Sequence, residues 1–98
     1  MYALSTRSKR TRYEVYADLL NTIRMEGGCT ITRASYGARI PVDRANRFLH
    51  ELIRVGLVRV EEKDGSRIYK VTIRGIEFLE LFSRLKKLLG EPLGYMER

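Results

Sequence analysis

The hydrophobic pattern of the chain changes period at Gly56, and this change constrains the fold more than any other feature of the sequence. Before Gly56 the apolar residues recur at helical spacing, along a stripe formed by Ala45, Phe48, Leu49, Leu52 and Ile53. After Gly56 the segments 57–62 and 67–73 are β-branched and alternating. Because 98 residues build a single core, both patterns must belong to one mainly α domain with a small β-hairpin, an α+β fold.

Two elements are predicted before residue 32. A first helix runs from Thr11 to about Met25 and is ended by a pair of glycines, one of which can adopt the left-handed conformation of a helix C-cap. Residues 29–31 are too few for a helix and β-prone, so they predict a small edge strand.

Two further helices follow at close spacing. Thr32 is expected to cap a short helix that reaches about Tyr36, and residues 37–39 then make a tight turn. Pro41 suits the first turn of the next helix, predicted over 41–55, because its missing N–H has no partner to lose there. Two helices joined by a tight glycine-containing turn form a helix-turn-helix.

The remainder predicts a hairpin and a last helix. Residues 63–66 join the two segments, and Asp64-Gly65 among them is a strong hairpin signal, so the hairpin over 57–73 should be antiparallel, with Lys63 and Arg67 near its tip. Thr72 is a candidate cap for a helix that runs to about Leu89. A hairpin that follows a helix-turn-helix is a wing, so the order of elements predicts a winged helix-turn-helix.

The charge of the chain indicates a polyanionic partner. Nineteen Lys and Arg against twelve Asp and Glu give a net charge of +7. The surplus is uneven: residues 1–12 carry +4, residues 30–56 carry +3, and the first and last helices carry none of it. Positive charge concentrated in this way is typical of a nucleic-acid-binding surface.

Several function classes are excluded by what the sequence lacks. Cys29 and His50 are the only cysteine and histidine, so neither a disulfide framework nor a Cys/His zinc site can form within the chain. No catalytic constellation, phosphate-binding glycine loop or paired-metal carboxylate set is present, and we expect a non-enzymatic protein without a cofactor or an identifiable small-molecule ligand. No apolar run could span a bilayer and no signal peptide is recognisable, so the expected location is cytoplasmic and nucleoid-associated.

The sequence resembles the archaeal winged-helix DNA-binding proteins of about ten kilodaltons, the "a" type from Sulfolobus, and related predicted transcription regulators. The resemblance covers about residues 7–89. It is carried by motifs in the family's order, which are Arg7-Ser8, residues 13–20, Thr32-Arg33, Ala38-Arg39-Ile40, Phe48-Leu49 with Leu52, Gly56-Leu57, residues 69–72, Gly75 and Phe78-Leu79. It implies a homodimer whose C-terminal helices form an antiparallel coiled coil and hold two winged domains that bind duplex DNA.

Four segments are therefore expected: a basic arm over 1–12, the winged domain over 13–75, a dimerisation helix over 76–89 and an irregular tail over 90–98. The helix over 41–55 is expected in the major groove, with the hairpin as a wing. The candidate DNA-binding residues are Arg7, Lys9, Arg10, Arg12, Arg33, Arg39, Val42, Arg44, Asn46, Arg47, Lys63, Ser66 and Arg67.

Each group of candidates also has a simpler interpretation. Arg44, Asn46 and Arg47 suit base contacts, yet a solvated basic helix face would look the same. The basic residues of the hairpin tip could contact phosphates or only keep that tip soluble. The arm could be disordered and still lie along the backbone or in the minor groove. For the aromatic residues Tyr36, Phe48 and Tyr69, core packing is favoured over base stacking.

The last helix is too apolar for one buried face. Eight of the fourteen residues from Ile76 to Leu89 are Ile, Leu or Phe, and Ile76 and Leu79 are expected to cover the winged domain itself. The remaining side chains predict a dimer seam formed by Phe78, Leu81, Phe82, Leu85, Leu88 and Leu89. The chain is thus interpreted as a dimeric DNA-binding regulator or chromatin-type protein. The alternative is a winged helix that acts as a protein-interaction subunit of a larger nucleic-acid-processing complex.

Overall fold

A computed structural model describes residues 10–90 of the chain. These residues form four helices and one hairpin: α1 Arg12–Glu26, α2 Ile31–Ala38, α3 Val42–Arg54, β1 Val58–Lys63, β2 Ser66–Val71 and α4 Ile73–Leu88. The predicted winged helix-turn-helix is confirmed. The predictions for residues 1–9 and 91–98, which include Arg7, Lys9 and most of the tail, lie outside the described residues.

Helix α1 lies within one residue of its predicted bounds because strong local signals define both ends. Thr11 and Glu14 form a capping box, in which the Glu14 backbone N–H donates to the Thr11 hydroxyl and the Thr11 N–H donates to the Glu14 carboxylate, at 3.1 and 2.7 Å. At the other end Gly27 adopts the left-handed conformation.

The start of α2 differs from the prediction. Its cap is Thr30, whose hydroxyl accepts from the Arg33 backbone N–H, and not Thr32, which lies inside the helix. The predicted edge strand over 29–31 is therefore wrong, because Ile31 already belongs to α2. What remains of the strand is a single bridge, in which Cys29 and Tyr69 exchange two backbone hydrogen bonds of 3.1 and 2.8 Å.

The turn between α2 and α3 is shorter than predicted. Gly37 and Ala38 are helical, and Arg39 ends α2 in the left-handed conformation at φ 59°. Pro41 occupies the N-cap of α3 and not its first turn, and its carbonyl accepts from the Ala45 N–H at 2.9 Å. A proline side chain offers no capping oxygen, so α3 begins without a side-chain hydrogen bond.

The hairpin has the predicted antiparallel pairing, but its turn has two residues and not the four of the predicted link over 63–66. Lys63 pairs with Ser66, which leaves Asp64 and Gly65 in the turn at φ 52° and 79°. Two consecutive positive φ angles are the requirement of a type I′ turn, which is why Asp-Gly stands there. Strand β1 begins and ends one residue later than predicted, because Leu57 precedes it, whereas β2 begins one residue earlier and ends two residues earlier, because Thr72 caps α4.

The core lies where α1 crosses α2, α3 and the base of the hairpin. Its most completely buried large side chains are Leu19, Leu20, Ile23, Leu49 and Leu52. Small residues of α2 allow the close approach of its neighbours: Ala34, Ser35 and Ala38 are all buried, and the Ser35 hydroxyl donates to the Thr32 carbonyl at 2.9 Å.

The start of α4 is fixed to the hairpin by Thr72 and Gly75. The Thr72 hydroxyl accepts from the Gly75 N–H at 3.1 Å and donates to the Gly56 carbonyl at 2.6 Å. A Cβ atom added at Gly75 would lie 2.4 Å from the Leu57 carbonyl oxygen and 2.5 Å from a methyl group of Val71. This contact leaves no space for a side chain at position 75.

We therefore expect Gly75→Ala to lower the free energy of unfolding by about 1–3 kcal/mol through overpacking, although alanine favours a helix by about 1 kcal/mol over glycine. Urea denaturation followed by circular dichroism measures this change. Glu77→Ala, at an exposed position of the same helix, is the control and should stay within about 0.5 kcal/mol of the wild type. A Gly75→Ala variant as stable as the wild type would contradict the packing described above.

Candidate nucleic-acid interface

The first two turns of α3 present a polar, mainly basic face to the outside. Ala45, Leu49 and Leu52 form the buried side of this helix. Helical periodicity places the other side chains outward, and all five of these are exposed: Val42, Asp43, Arg44, Asn46 and Arg47. We refer to these five residues as the α3 face. They agree with the face predicted from the sequence.

Arg44 is supported by the aromatic side chain one turn further along α3. Its guanidinium lies 5.7 Å from the centre of the Phe48 ring, within the range of a cation–π contact. The Phe48 ring in turn meets Tyr16 of α1 edge to face, with 5.7 Å between ring centres. The position of Arg44 is thus connected to the packing of α1.

The tip of the hairpin carries two cations next to the acidic turn residue. Lys63, Ser66 and Arg67 are exposed. Glu61, nearer the base of the hairpin, accepts from Arg59 and lies 4.0 Å from the Lys70 ammonium. The hydrogen bond from Arg59 is the main reason that the pKa of Glu61 is lowered. Within residues 10–90, neither Lys63 nor Arg67 forms an ion pair.

The other candidate cations are distributed over two sides of the domain. Arg33, on α2, forms an ion pair with Glu26 at 3.2 Å, and Arg39 is exposed in the turn before α3. Arg12, at the start of α1, lies close enough to Glu51 to contribute to the lowered pKa of that carboxyl, although the hydrogen bond from Arg54 is the main cause.

Arg10 is engaged inside the domain. Its guanidinium forms an ion pair with Asp18 of α1 and donates to the backbone carbonyls of Ala38 and Arg39, at 2.8 and 3.3 Å. Its side chain is 25% exposed. The structure thus gives Arg10 partners within the chain, which the sequence prediction of a basic arm did not include.

One aromatic prediction is wrong. Phe48 and Tyr69 pack in or against the core as expected, whereas Tyr36 is 81% exposed. Ala34, Ser35 and Ala38 determine the buried side of α2, and Tyr36 falls on the opposite side. An aromatic ring with a hydroxyl thus lies on the surface of the helix-turn-helix. The spacing of the small residues that α2 buries is the sequence signal that could have predicted the exposure of Tyr36.

The outer side of α4 is apolar. Leu81, Leu85, Leu88 and Leu89 are exposed, Leu88 by 83%, and we call these four residues the leucine face. Phe78 and Phe82, predicted with them in the seam, stack on each other at 5.7 Å, and Phe78 also contacts Tyr16 of the same chain. As predicted, Leu79 packs against the core.

A groove of about 230 Å³ lies next to the leucine face. Its walls are Tyr13 of α1 and, on α4, Phe78, Leu81, Phe82 and Leu85. Lys86 contacts one of these walls and α1, since its ammonium lies 5.6 Å from the centre of the Phe82 ring and 3.9 Å from the Glu14 carboxylate. The predicted seam residues thus divide into a groove floor fixed by the chain itself and a rim of exposed leucines.

Within residues 10–90 there is no group of three or more potential metal ligands, and no helix has the length and apolar character needed to cross a membrane. Cys29 is buried, and burial is the main cause that raises the pKa of its thiol, with a further contribution from Glu26 and a partial compensation by Arg33. A raised pKa disfavours the thiolate, the form that binds metals and reacts as a nucleophile.

Comparison with known proteins agrees with this geometry. The sequence pattern of the winged helix-turn-helix family matches residues 9–90. The chain belongs to the winged helix-turn-helix family. The expectation of a non-enzymatic protein agrees with this membership, because proteins of this family are typically non-enzymatic.

This winged helix-turn-helix protein is similar to Sso10a-2, a DNA-binding protein from Sulfolobus solfataricus, with 30% identity, a TM-score of 0.70, and coverage of 82% of this chain and 85% of that one. It also shares its fold with the oxidized form of MarR from E. coli, at 20% identity, a TM-score of 0.65, and coverage of 71% and 52%. A MarR family transcriptional regulator from Silicibacter pomeroyi gives 20% identity, a TM-score of 0.68, and coverage of 90% and 62%. This chain thus spans about half to two thirds of the length of these two regulators. The comparison with curated proteins gave no match.

Proposed function

We propose that this protein binds duplex DNA as a homodimer and acts as a transcription regulator or a chromatin-type architectural protein in the cytoplasm, associated with the nucleoid. In this proposal the α3 face enters the major groove and the hairpin tip contacts the backbone as a wing. The observation that carries the proposal is the α3 face itself, where Arg44, Asn46 and Arg47 are exposed at the beginning of the second helix of a helix-turn-helix.

The chemistry of these side chains supports base contacts. Arginine can donate two hydrogen bonds to guanine, asparagine can pair with adenine in the same bidentate manner, and the apolar Val42 suits a thymine methyl group. In helix-turn-helix proteins the first residues of the second helix reach the base edges. The similarity to Sso10a-2, a DNA-binding protein, supports the same function.

The hairpin tip is suited to a different kind of contact. Lys63, Ser66 and Arg67 offer donors to phosphate oxygens, which are charged and the same at every sequence. A two-residue turn fixes the backbone positions from which these side chains extend. We therefore assign the α3 face to sequence preference and the wing to affinity.

The leucine face supports the proposal of a homodimer. A buried leucine contributes about 1.5–3 kcal/mol relative to an exposed one, so four exposed leucines beside an apolar groove favour association. A second copy of α4 would cover this surface, with its leucines in the groove beside Tyr13. Pairing across a two-fold axis would present two α3 faces to one duplex.

DNA binding should depend steeply on salt. If a dimer neutralises about six phosphates, the logarithm of the affinity falls with the logarithm of the salt concentration at a slope of about −5. Fluorescence anisotropy with a labelled duplex and the isolated protein measures this slope. A slope of magnitude below about 2 would contradict binding through the clustered cations. A lack of binding at low salt would exclude duplex binding and favour an interaction with an acidic protein partner.

Arg44→Ala and Arg47→Ala should weaken binding more than Lys63→Ala and Arg67→Ala. All four substitutions remove one positive charge, so the difference is expected because only Arg44 and Arg47 are assigned to base edges. The expected loss is about 1–3 kcal/mol for one bidentate base contact, together with a relaxed preference at one base pair. Selection of bound sites from a random duplex pool measures the preference. Equal small losses at all four positions would argue for a surface without sequence preference.

Leu85→Asp should yield a monomer that binds DNA much more weakly, because two tethered contacts become one. Leu85 is preferable to Phe82 for this test, since Phe82 stacks on Phe78 within the same chain. Lys87→Ala is the matched control: it also lowers the charge by one on an exposed position of α4, on another side of the helix, and should remain dimeric. Sedimentation equilibrium at tens of micromolar protein measures the oligomeric state of each variant. A monomeric wild type or a dimeric Leu85→Asp variant would refute the proposed dimer.

A further inference from the structure

Asp43 is an acidic residue in the middle of the mainly basic α3 face. Successive residues of a helix are about 100° apart, so a residue two positions from a buried one lies on roughly the opposite side. Asp43 and Arg47 are both two positions from Ala45, which is fully buried. Arg44 and Asn46 are each one position from Ala45 and lie toward the two edges of the face. The outermost line of the α3 face therefore begins with a carboxylate.

Within residues 10–90, the carboxylate of Asp43 forms no ion pair. Arg47 follows it by one helical turn, but the two side chains are not in ion-pair contact. The Arg44 guanidinium lies over the Phe48 ring. Asp43 is exposed, so water solvates its charge in the free protein. The same carboxylate would lose this water if the α3 face entered a groove of DNA.

A carboxylate at this place restricts the bases that the α3 face can accept. An ionised carboxylate has only acceptor oxygens, and its removal from water without a hydrogen-bond donor is strongly unfavourable. In the major groove the donors are the amino groups of cytosine and adenine. The amino group of adenine lies beside the N7 acceptor, which repels a carboxylate, whereas the amino group is the only polar group that cytosine presents there.

We propose that Asp43 is a specificity-determining residue that accepts a hydrogen bond from the amino group of a cytosine in the major groove. This inference rests on the proposed function and adds one base to it. The arginines of the α3 face attract a duplex of any sequence through their charge. Asp43 penalises each duplex that presents only acceptors at its position, and such a penalty against the wrong partner is one source of specificity.

A purely structural role of Asp43 makes a different prediction. Helix α3 begins without a side-chain cap, and an acidic residue in the first turn stabilises a helix through its dipole. Loss of that role alone would make the free protein less stable and would leave the base preference unchanged. The base preference is therefore the readout that separates the two roles.

The first experiment selects bound sites from a random duplex pool with the wild type, Asp43→Ala and Asp64→Asn. Asp64→Asn is the matched control, because it also removes one negative charge and asparagine tolerates the positive φ of the hairpin turn. We expect the wild type and Asp64→Asn to enrich the same motif, and Asp43→Ala to lose the preference at one cytosine of that motif. An Asp43→Ala variant that enriches the complete motif, or that loses the preference at another base, would overturn the proposal.

The second experiment measures, by fluorescence anisotropy, the affinity for two duplexes that differ only at this base pair. In the second duplex thymine, which presents an acceptor, replaces the cytosine. The wild type should bind the selected duplex at least about fivefold more tightly, as is typical for one mismatched base pair. Asp43→Ala should discriminate by less than twofold, whereas Asp64→Asn should bind both duplexes more tightly at the wild-type ratio. A wild-type ratio below fivefold, or an Asp43→Ala ratio above twofold, would overturn the role of Asp43.

The proposed function and the role of Asp43 fail in different ways. A wild-type protein that binds no duplex overturns both. A wild-type protein that binds duplex and enriches no motif overturns the role of Asp43 alone. Thermal unfolding of each variant identifies losses of folding. If Asp43→Ala does not fold, Asp43→Asn takes its place: an amide can pair with adenine, so adenine should appear beside cytosine at this position, and an unchanged preference for cytosine would overturn the proposal.

Discussion

The packing of Tyr16 between Phe48 and Phe78 is the interaction on which both proposed surfaces depend. Tyr16 belongs to α1, and its ring meets a ring of α3 on one side and a ring of α4 on the other, with 5.7 and 6.4 Å between ring centres. The Phe48 ring makes a cation–π contact with the Arg44 guanidinium, and Phe78 stacks on Phe82 in the floor of the groove. Tyr16 thus connects the helix of the α3 face to the helix of the leucine face through two edge-to-face contacts.

The other contacts complete this arrangement from the two ends of the domain. Arg10 holds the turn before α3 against α1, and Thr72 holds the end of the same helix against α4. Helix α3 is thus restrained at its beginning and after its end by hydrogen bonds to backbone carbonyls. A helix that begins at a proline, without a side-chain cap, is stabilised by such contacts from outside the helix.

Much of the fold could be predicted from the sequence because local signals and hydrophobic period agreed. The capping box of α1, the Asp64-Gly65 turn and the Thr72 cap each satisfy backbone groups within a few residues, so they can be identified without tertiary information. The predictions were wrong where tertiary packing determines the start of a helix and the side that it buries. Thr30 and Thr32 are equally good caps, and the choice between them depends on which phase of α2 buries Ala34 and Ala38. The same phase exposes Tyr36.

The candidate site was predictable to a similar extent. The α3 face follows from helical periodicity, and the exposed leucines follow from an excess of apolar residues in one helix. The engagement of Arg10 could not be predicted, since its partners are 8, 28 and 29 residues away and nothing in the local sequence connects them. The inward position of Phe78 depends likewise on Tyr16, which lies more than sixty residues earlier in the chain.

The turn of the hairpin has a consequence for how firmly a wing can hold DNA. The backbone at position 64 requires a residue that tolerates positive φ, and asparagine and aspartate are the side chains best suited to it. Aspartate adds a negative charge between Lys63 and Arg67, which the geometry of the turn does not require. In the proposed complex with DNA, this carboxylate would repel part of the phosphate that its neighbours attract. The proposed contact of the wing is therefore moderated at the tip, a property suited to a protein that must leave a duplex as well as bind it.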